Sequence, residues 1–299
     1  MKNSKLIYIA GPTASGKTTL AIALAKHLNT EIISCDSRQF YREMTIGTAV
    51  PSAEELAEVP HHFVQHLSIH DPYSVGDFRK DALNTLESLF KTNEYVIMVG
   101  GSGLYADAVI QGLDEFPAVD PSIRPQLNTM FENEGIEVLQ ELLKEHDNLH
   151  YQIVDQQNPK RLIRALEVSL SSGKPYSSFL GKKTPPDFFT THPMVIHSDR
   201  EELYQRINTR VDEMVEKGLE EEARSLFPEK GLNALQTVGY NEWFNHFEGK
   251  WDRETAIAEI KKNSRRYAKR QITWFKRDTM AQSVPTDWNL KDVFAGINP

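Results

Sequence analysis

The chain has 299 residues, 39 % hydrophobic and 25 % charged, with 34 basic and 42 acidic side chains and a net charge of −8. That length can bury a large sheet, alone or with an inserted unit, and a single cysteine, Cys35, excludes an internal disulfide framework and suggests a reducing compartment. No apolar run approaches the roughly 20 residues of a membrane-spanning helix, so a cytoplasmic protein without membrane contact is expected; the net charge argues against a uniformly basic nucleic-acid surface, though not against a local one.

The apolar run Leu6-Ile7-Tyr8-Ile9-Ala10 reads as a buried strand. It enters Gly11-Pro12-Thr13-Ala14-Ser15-Gly16-Lys17-Thr18, a Gly-x4-Gly-Lys-Thr phosphate loop of the kind found in ATP-binding and other nucleotide-binding proteins, and a helical pattern follows from Thr19 to Ala25. Successive backbone N–H groups and the helix N-terminus form a concave anion site. Lys17 adds a positive charge, and the Thr18 hydroxyl is placed to ligate a magnesium ion, Mg2+, bridging the phosphates. A diphosphate or longer phosphate chain is therefore expected on Gly11, Thr13, Ala14, Ser15, Gly16, Lys17 and Thr18.

A second strand, Glu31 to Cys35, ends in Asp36-Ser37-Arg38-Gln39. Ligands of open α/β sheets lie beyond the carboxyl ends of the strands, so Asp36 is expected to face the same crevice as the loop. It could serve there as a magnesium ligand, as a general base for an acceptor, or only as a turn or helix-capping residue. A short acidic helix leads to Pro60. His62, His66 and His70 would share one face of a helix, which raises a zinc site. Pro60, Pro72 and the absence of a nearby cysteine favour strand or loop histidines instead.

An amphipathic helix from Gly76 to Phe90 places Phe78, Ala82, Leu86 and Leu89 on one stripe. The third strand, Tyr95 to Val99, runs into Gly100-Gly101-Ser102-Gly103 and a helix from Tyr105 to Gln111. This turn should line the same crevice, with Ser102 able to hold a ligand, but the strand has no terminal acid to act as a Walker B ligand. Pro117, Pro121 and Pro125 mark a change, and from Asp120 to about Gly173 the pattern is helical, with stripes Ile136-Leu139-Leu142-Leu143 and Leu162-Ala165-Leu166-Val168-Ser169-Leu170. The architecture expected is α/β: a P-loop NTPase-like parallel-sheet core, residues 1–119 and 193–299, with a mainly helical insertion domain, residues 120–192.

Pro159 opens a helix that carries Lys160, Arg161 and Arg164 in its first turns, where cations oppose the helix dipole unless an anion binds. A solvated basic face is the alternative. After a loop from Gly173 to Pro186, Met194 to His197 reads as a strand, and Asp199 to Lys217 as a helix with Leu203, Ile207, Val211, Met214 and Val215 inward; Arg206 and Arg210 on it could reach back to the phosphates. A helix begins at about Val238, and a long one runs from Glu254 to Arg277. Its stretch from Ile260 to Arg277 has no acid, and Lys262, Arg266, Arg270 and Arg277 form a stripe near Tyr267 and Trp274 that fits a phosphate-backbone footprint, or else a solvated face.

The ordered blocks Gly11 to Thr18, Asp36 to Gln39 with Tyr41, Ile46 to Ala49, Gly100 to Tyr105, Asn158 to Arg161 with Arg164 to Val168, Val238 to Tyr240, and Ala268 to Phe275 resemble those of the bacterial tRNA dimethylallyltransferases, over residues 6–277. The resemblance implies transfer of a dimethylallyl group from dimethylallyl diphosphate to N6 of the adenine 3′-adjacent to the anticodon in tRNA. It implies that the loop holds the prenyl diphosphate, that Asp36 is the catalytic base, and that Lys17 and Arg210 assist at the diphosphate. It also implies tRNA contacts at Asp36, Ser37, Arg38, Gln39, Ser102, Arg124, Lys160, Arg161, Leu162, Ile163, Arg164, Gln236, Thr237, Val238, Gly239, Tyr240 and Asn241. Ser102 stands where the family more often has threonine, and Gln236 where some relatives carry arginine. The chain is expected to act as a monomer. Two other readings of the loop are a small-molecule or nucleotide kinase and a nucleotide-gated RNA-binding switch.

Overall fold

The computed structural model describes residues 4–297 and divides into two compact units, one made of the residues up to Ile110 together with those from Pro186, the other of Gln111–Pro185. The first unit is built on strand β1 (Lys5–Ala10), whose residues alternate between two apolar clusters: Leu6, Tyr8 and Ala10 face one, Ile7 and Ile9 the other. A strand buried on both faces needs an unbroken apolar run. It pairs with β4 (Tyr95–Val99) on one side and β5 (Thr190–His197) on the other, and β2 (Ile32–Ser34), β3 (His61–His62) and β6 (Gln282–Pro285) complete a parallel sheet in the order β3-β2-β4-β1-β5-β6.

Between the strands run α1 (Lys17–Leu28), α2 (Ala53–Glu58), α3 (Val75–Leu89) and α4 (Gly103–Ile110). The helical unit holds α5 (Ile123–Glu134), α6 (Ile136–His146), α7 (Asn148–Ile153) and α8 (Pro159–Ser172). Back in the first unit follow α9 (Arg200–Glu216), α10 (Leu219–Leu226), α11 (Tyr240–Phe247), α12 (Arg253–Phe275) and α13 (Leu290–Ile297). Leu20, Ala21 and Leu24 of α1, with Val293 and Ile297 of α13, cover one sheet face; Phe78, Val211, Leu219, Trp243 and Ile260 cover the other. The α/β P-loop-like core and the helical unit are thus both present, and no helix among the described residues is long and apolar enough to cross a membrane.

The helical unit packs around Leu127, Leu139, Leu143, Leu162, Ile163, Ala165 and Leu166. Asn158 caps α8 by accepting from the Arg161 N–H, with Pro159 at the first helical position. Leu170, assigned by periodicity to the same stripe, is 37 % exposed.

Strand β5 starts at Thr190, four residues before the apolar run that reveals it. Pro193 lies ahead of the stretch Met194–His197 that pairs with β6, where one edge of the strand is free and a missing N–H is tolerated. The short elements α10, β6 and α13 were not anticipated. His61 and His62 form the edge strand β3, and His66 packs edge-on against Phe40, Phe63 and Tyr73, so these histidines are strand and loop residues.

Candidate active site

The carboxyl ends of β1, β2 and β4 meet at the point where the strand order departs from β1 in both directions, and a cavity of about 820 Å³ opens there. Thr13 to Thr18 line it, together with Asp36 to Gln39, Gly100 to Tyr105, Arg210, Gln236 to Gly239, Asn241, Tyr267, Arg270, Gln271 and Trp274. Gly11, expected to hold the diphosphate, directly follows β1 and is not among the residues lining the cavity.

The loop is preorganised at a conformational cost. Ala14 takes φ 60° and Gly16 φ 86°, both left-handed, and an alanine held there costs on the order of 1 kcal/mol. Ser15 is buried, and its hydroxyl has no hydrogen-bond partner among the described residues, which leaves it available to a bound oxyanion. Lys17 Nζ donates to the Pro12 carbonyl at 2.7 Å, folding the ammonium over the loop. Burial pushes that ammonium down to about 8; the Asp36 carboxylate opposes the shift and Arg210 adds to it. Arg210 comes from α9, its NH1 3.4 Å from Thr13 Oγ1, and burial lowers its guanidinium below the ordinary arginine value while the Asp36 charge opposes. Arg206, one turn earlier, instead donates to Ser198 at 2.6 Å and does not line the cavity.

Asp36 follows β2, and its Oδ1 accepts the Arg38 N–H at 3.1 Å, an aspartate turn that fixes the carboxylate at the cavity wall. Ser102 ties this segment to the glycine turn: its Oγ accepts the Ser37 N–H at 3.2 Å and lies 3.1 Å from Ser37 Oγ. The Tyr267 phenol, which lines the same cavity, is raised to about 12 by burial and then by the Asp36 charge. Arg38 donates to the carbonyls of Asn233 and Ala234 at 2.9 and 2.8 Å, so it holds the segment before Gln236 as well as lining the cavity. Gln39 Nε2 donates to the Ala49 carbonyl at 2.9 Å.

Two residues that the sequence reading did not single out hold these parts together. Gln271 of α12, 5 % exposed, accepts the Thr13 N–H at 2.9 Å and donates to the Gly101 carbonyl at 3.0 Å, clamping phosphate loop to glycine turn. A Cβ on Gly101 would fall 2.2 Å from Gln271 Nε2, and one on Gly103 2.1 Å from Trp274 Nε1, so α12 approaches as closely as it does only because both are glycine. Glu222 of α10 accepts from the backbone N–H groups of Thr45, Ile46 and Gly47 at 3.0, 2.8 and 2.9 Å and from the Tyr240 hydroxyl at 2.7 Å. An uncharged glutamine among the lysines and arginines of a basic helix was the available signal for the first; a glutamate in an acidic helix gave none for the second.

Other expected contact residues lie elsewhere. Tyr240 is fully buried with its hydroxyl on Glu222, and Leu162 and Ile163 belong to the apolar interior of the helical unit. In that unit Arg124 grips Glu167 through Nε and NH2 at 3.0 and 2.7 Å, and Arg164 NH1 reaches the same carboxylate at 3.1 Å and lies over the Phe116 ring. Lys160 and Arg161 are exposed on the first turn of α8. On α12, Lys262 pairs with Glu259 and Arg270 faces the cavity, while Arg277, just past the end of the helix, pairs with Asp107.

A phosphate loop whose neighbour is a carboxylate at the next strand end, in a cleft roomy enough for two substrates, is the arrangement of a P-loop group-transfer enzyme. A model of the IPP transferase family matches residues 39–278. The tRNA dimethylallyltransferase of Christiangramia forsetii is 56 % identical over 289 residues, which cover 97 % of this chain and 96 % of that protein. Among solved structures, the full-length tRNA isopentenylpyrophosphate transferase of Bacillus halodurans is 35 % identical with a TM-score of 0.71, over 98 % of this chain and 94 % of that one. A eukaryotic dimethylallyltransferase acting on tRNA is 25 % identical with a TM-score of 0.82, over 98 % and 78 %. The chain belongs to the IPP transferase family, the family of the tRNA dimethylallyltransferases.

Proposed function

We propose that this protein transfers the dimethylallyl group of dimethylallyl diphosphate to N6 of the adenine 3′-adjacent to the anticodon in tRNA, releasing diphosphate. The observation that carries the reading is the single cavity that presents the phosphate loop, Lys17 and Arg210 on one wall and Asp36 and Ser102 on another. The donor diphosphate lies on the amides from Ala14 to Thr18, the Thr13 N–H being taken by Gln271, with Ser15 Oγ as a further donor and Lys17 and Arg210 supplying charge. As the adenine amine forms its bond to the prenyl C1, the allylic C–O bond breaks and its electrons leave with the diphosphate. Lys17, Arg210 and the loop amides stabilise that growing negative charge.

The exocyclic amine is a weak nucleophile, and Asp36 orients it and accepts its proton. Entry of the adenine requires the base to leave its stack, which the protein supports by gripping the surrounding RNA. Ser37, Arg38, Gln39, Gln236 to Gly239 and Asn241 make that grip at the cavity, and Arg124, Lys160, Arg161 and Arg164 make it from the helical unit.

The donor set suits Mg2+. Thr18 is a hard hydroxyl ligand beside the diphosphate site, and since no three His, Cys, Asp or Glu side chains gather as a metal site among the described residues, phosphate oxygens and water would complete the shell. Bound there, the ion would neutralise charge on the leaving diphosphate. We take the protein to be a cytoplasmic monomer.

The test is incubation of the pure protein with Mg2+, unmodified tRNA and labelled dimethylallyl diphosphate, followed by nucleoside analysis. Label on adenosine supports the reading. ATP-dependent phosphorylation of an acceptor without prenyl consumption would replace it with the kinase reading, and tRNA binding without donor consumption would replace it with the switch reading.

A further inference from the structure

Beside the main cavity lies a second, of about 240 Å³, lined by Val238, Asn241, Glu242, Asn245, Trp251, Asn263 and Arg270. Val238, Asn241 and Arg270 line both. The carboxylate of Glu242, buried beneath the wall, has both oxygens engaged by neutral donors: Oε2 accepts the Gly239 N–H at 2.8 Å and Oε1 the Asn263 amide at 2.8 Å.

What remains on offer is specific. The Asn241 carboxamide has no hydrogen bond among the described residues, and Asn245, one turn later on α11, has its Nδ2 free, with only a 3.4 Å contact from Lys250 Nζ to its Oδ1. Arg270 has neither an ion pair nor a hydrogen bond among the described residues; its guanidinium lies 5.6 Å from the Tyr267 ring centre, at the junction of the two cavities. On a chain of net charge −8, where Lys261, Lys262 and Arg277 of the same stretch are each paired with an acid, an uncompensated guanidinium between two cavities is a place for an anion.

We propose that this second cavity is a nucleobase subsite: it takes the unpaired base of a nucleotide flanking the target adenosine, while Arg270 binds the phosphate that joins the two. The inference rests on the reading of the main cavity as the site of an RNA adenosine. A carboxamide presents a donor and an acceptor side by side, the pattern that reads a base edge, and the volume accommodates one planar base. Trp251 brings an aromatic side chain to the lining, the residue type on which unpaired bases stack. The charged group of the ligand falls at the shared rim and its base inward, which matches the order of charge and amide along the wall.

The experiment couples pocket and base. Anticodon stem-loop RNAs are made intact, or abasic at the nucleotide on one or the other side of the target adenosine, and kcat/KM for prenyl transfer is measured with the wild type and with Asn245→Ala, a residue of the second cavity only. The abasic change at one flank is expected to lower kcat/KM of the wild type about tenfold, and Asn245→Ala to lower it on intact RNA while adding little on the abasic RNA. Independent, multiplying losses, or no loss from either abasic RNA, overturn the subsite. Arg270→Ala is expected to weaken stem-loop binding and to flatten its salt dependence by about one phosphate contact; an unchanged slope overturns the phosphate assignment. No transfer to intact RNA by the wild type would overturn the underlying reading instead.

Discussion

Replacing Gln271 tests whether the cleft is held together as described. In Gln271→Ala the Thr13 N–H and the Gly101 carbonyl both lose their partner, and α12 gains a void where the amide filled the space above Gly101. A buried polar group left unpaired costs about 1–3 kcal/mol. The Gly101 carbonyl, bonded in a buried site, should show most of that, and the part-buried Thr13 N–H, which water or substrate can reach, the lower end. The sum is about 2–4 kcal/mol, read as a fall in unfolding free energy by denaturant titration. The phosphate loop also loses its tie to the glycine turn, so KM for dimethylallyl diphosphate is expected to rise about tenfold, equivalent to ~1.4 kcal/mol. Gln271→Glu sharpens the test. It still accepts from Thr13 but cannot donate to the Gly101 carbonyl, and it brings a negative charge beside the diphosphate, so its donor KM should exceed that of the alanine variant. Wild-type donor KM in both variants would refute the clamp.

Three further outcomes follow from the same geometry. Lys17, lowered to about 8 by burial, must be charged to hold the donor, so donor affinity of the free enzyme should be constant below that value and fall as pH rises through it; because the unfolded chain keeps this proton up to the ordinary lysine range, the same group makes folding stability rise, not fall, with pH above 8. Calorimetric donor titrations from pH 6 to 10 would show the first trend. Burial raises the Glu167 carboxyl, but hydrogen bonds from Arg124 and Arg164 outweigh it and hold the group below its ordinary value, so the stabilisation is complete at neutral pH and is lost as pH falls through that lowered value. Glu167→Gln should therefore lose about 1–3 kcal/mol at pH 7, raise KM for tRNA with kcat unchanged, and show a shallower acid dependence of stability. Glu222→Ala leaves three loop N–H groups and the Tyr240 hydroxyl without their acceptor; in this half-exposed setting water recovers part of the loss, and a drop of about 2 kcal/mol is expected in denaturant titration.

Much of this site could be read along the chain because its parts are local. The phosphate loop needs strand, glycines, lysine and helix in unbroken succession, and Asp36 and Ser102 declare themselves as polar residues just past apolar strand ends. Arg210 was within reach because a helix following a strand returns along the sheet. The fold was less legible wherever a residue's role depends on a distant partner. Periodicity placed Arg206 beside Arg210, but Ser198, eight residues earlier, captures it. Gln271 acts on Thr13 across 258 residues and Glu222 on Thr45 across 177, separations over which no local pattern operates. The strand β6 and the helix α13 have too few residues for periodicity to register, and they exist because β5 and α1 offer them an apolar edge and face. Leu170 satisfied the helical stripe and still lies exposed, because the stripe ends where its packing partners do.

The most direct test of the account concerns the proton acceptor. In Asp36→Asn the side chain keeps its size and its acceptor oxygen for the Arg38 N–H but loses its basicity. With enzyme in excess over tRNA, rapid mixing with labelled dimethylallyl diphosphate isolates the transfer step. The account requires the affinities for tRNA and donor to remain within about threefold of the wild type while the single-turnover rate falls by about 10²–10⁴, the range a general base supplies. A single-turnover rate equal to that of the wild type would show that Asp36 does not take the proton and would contradict the mechanism.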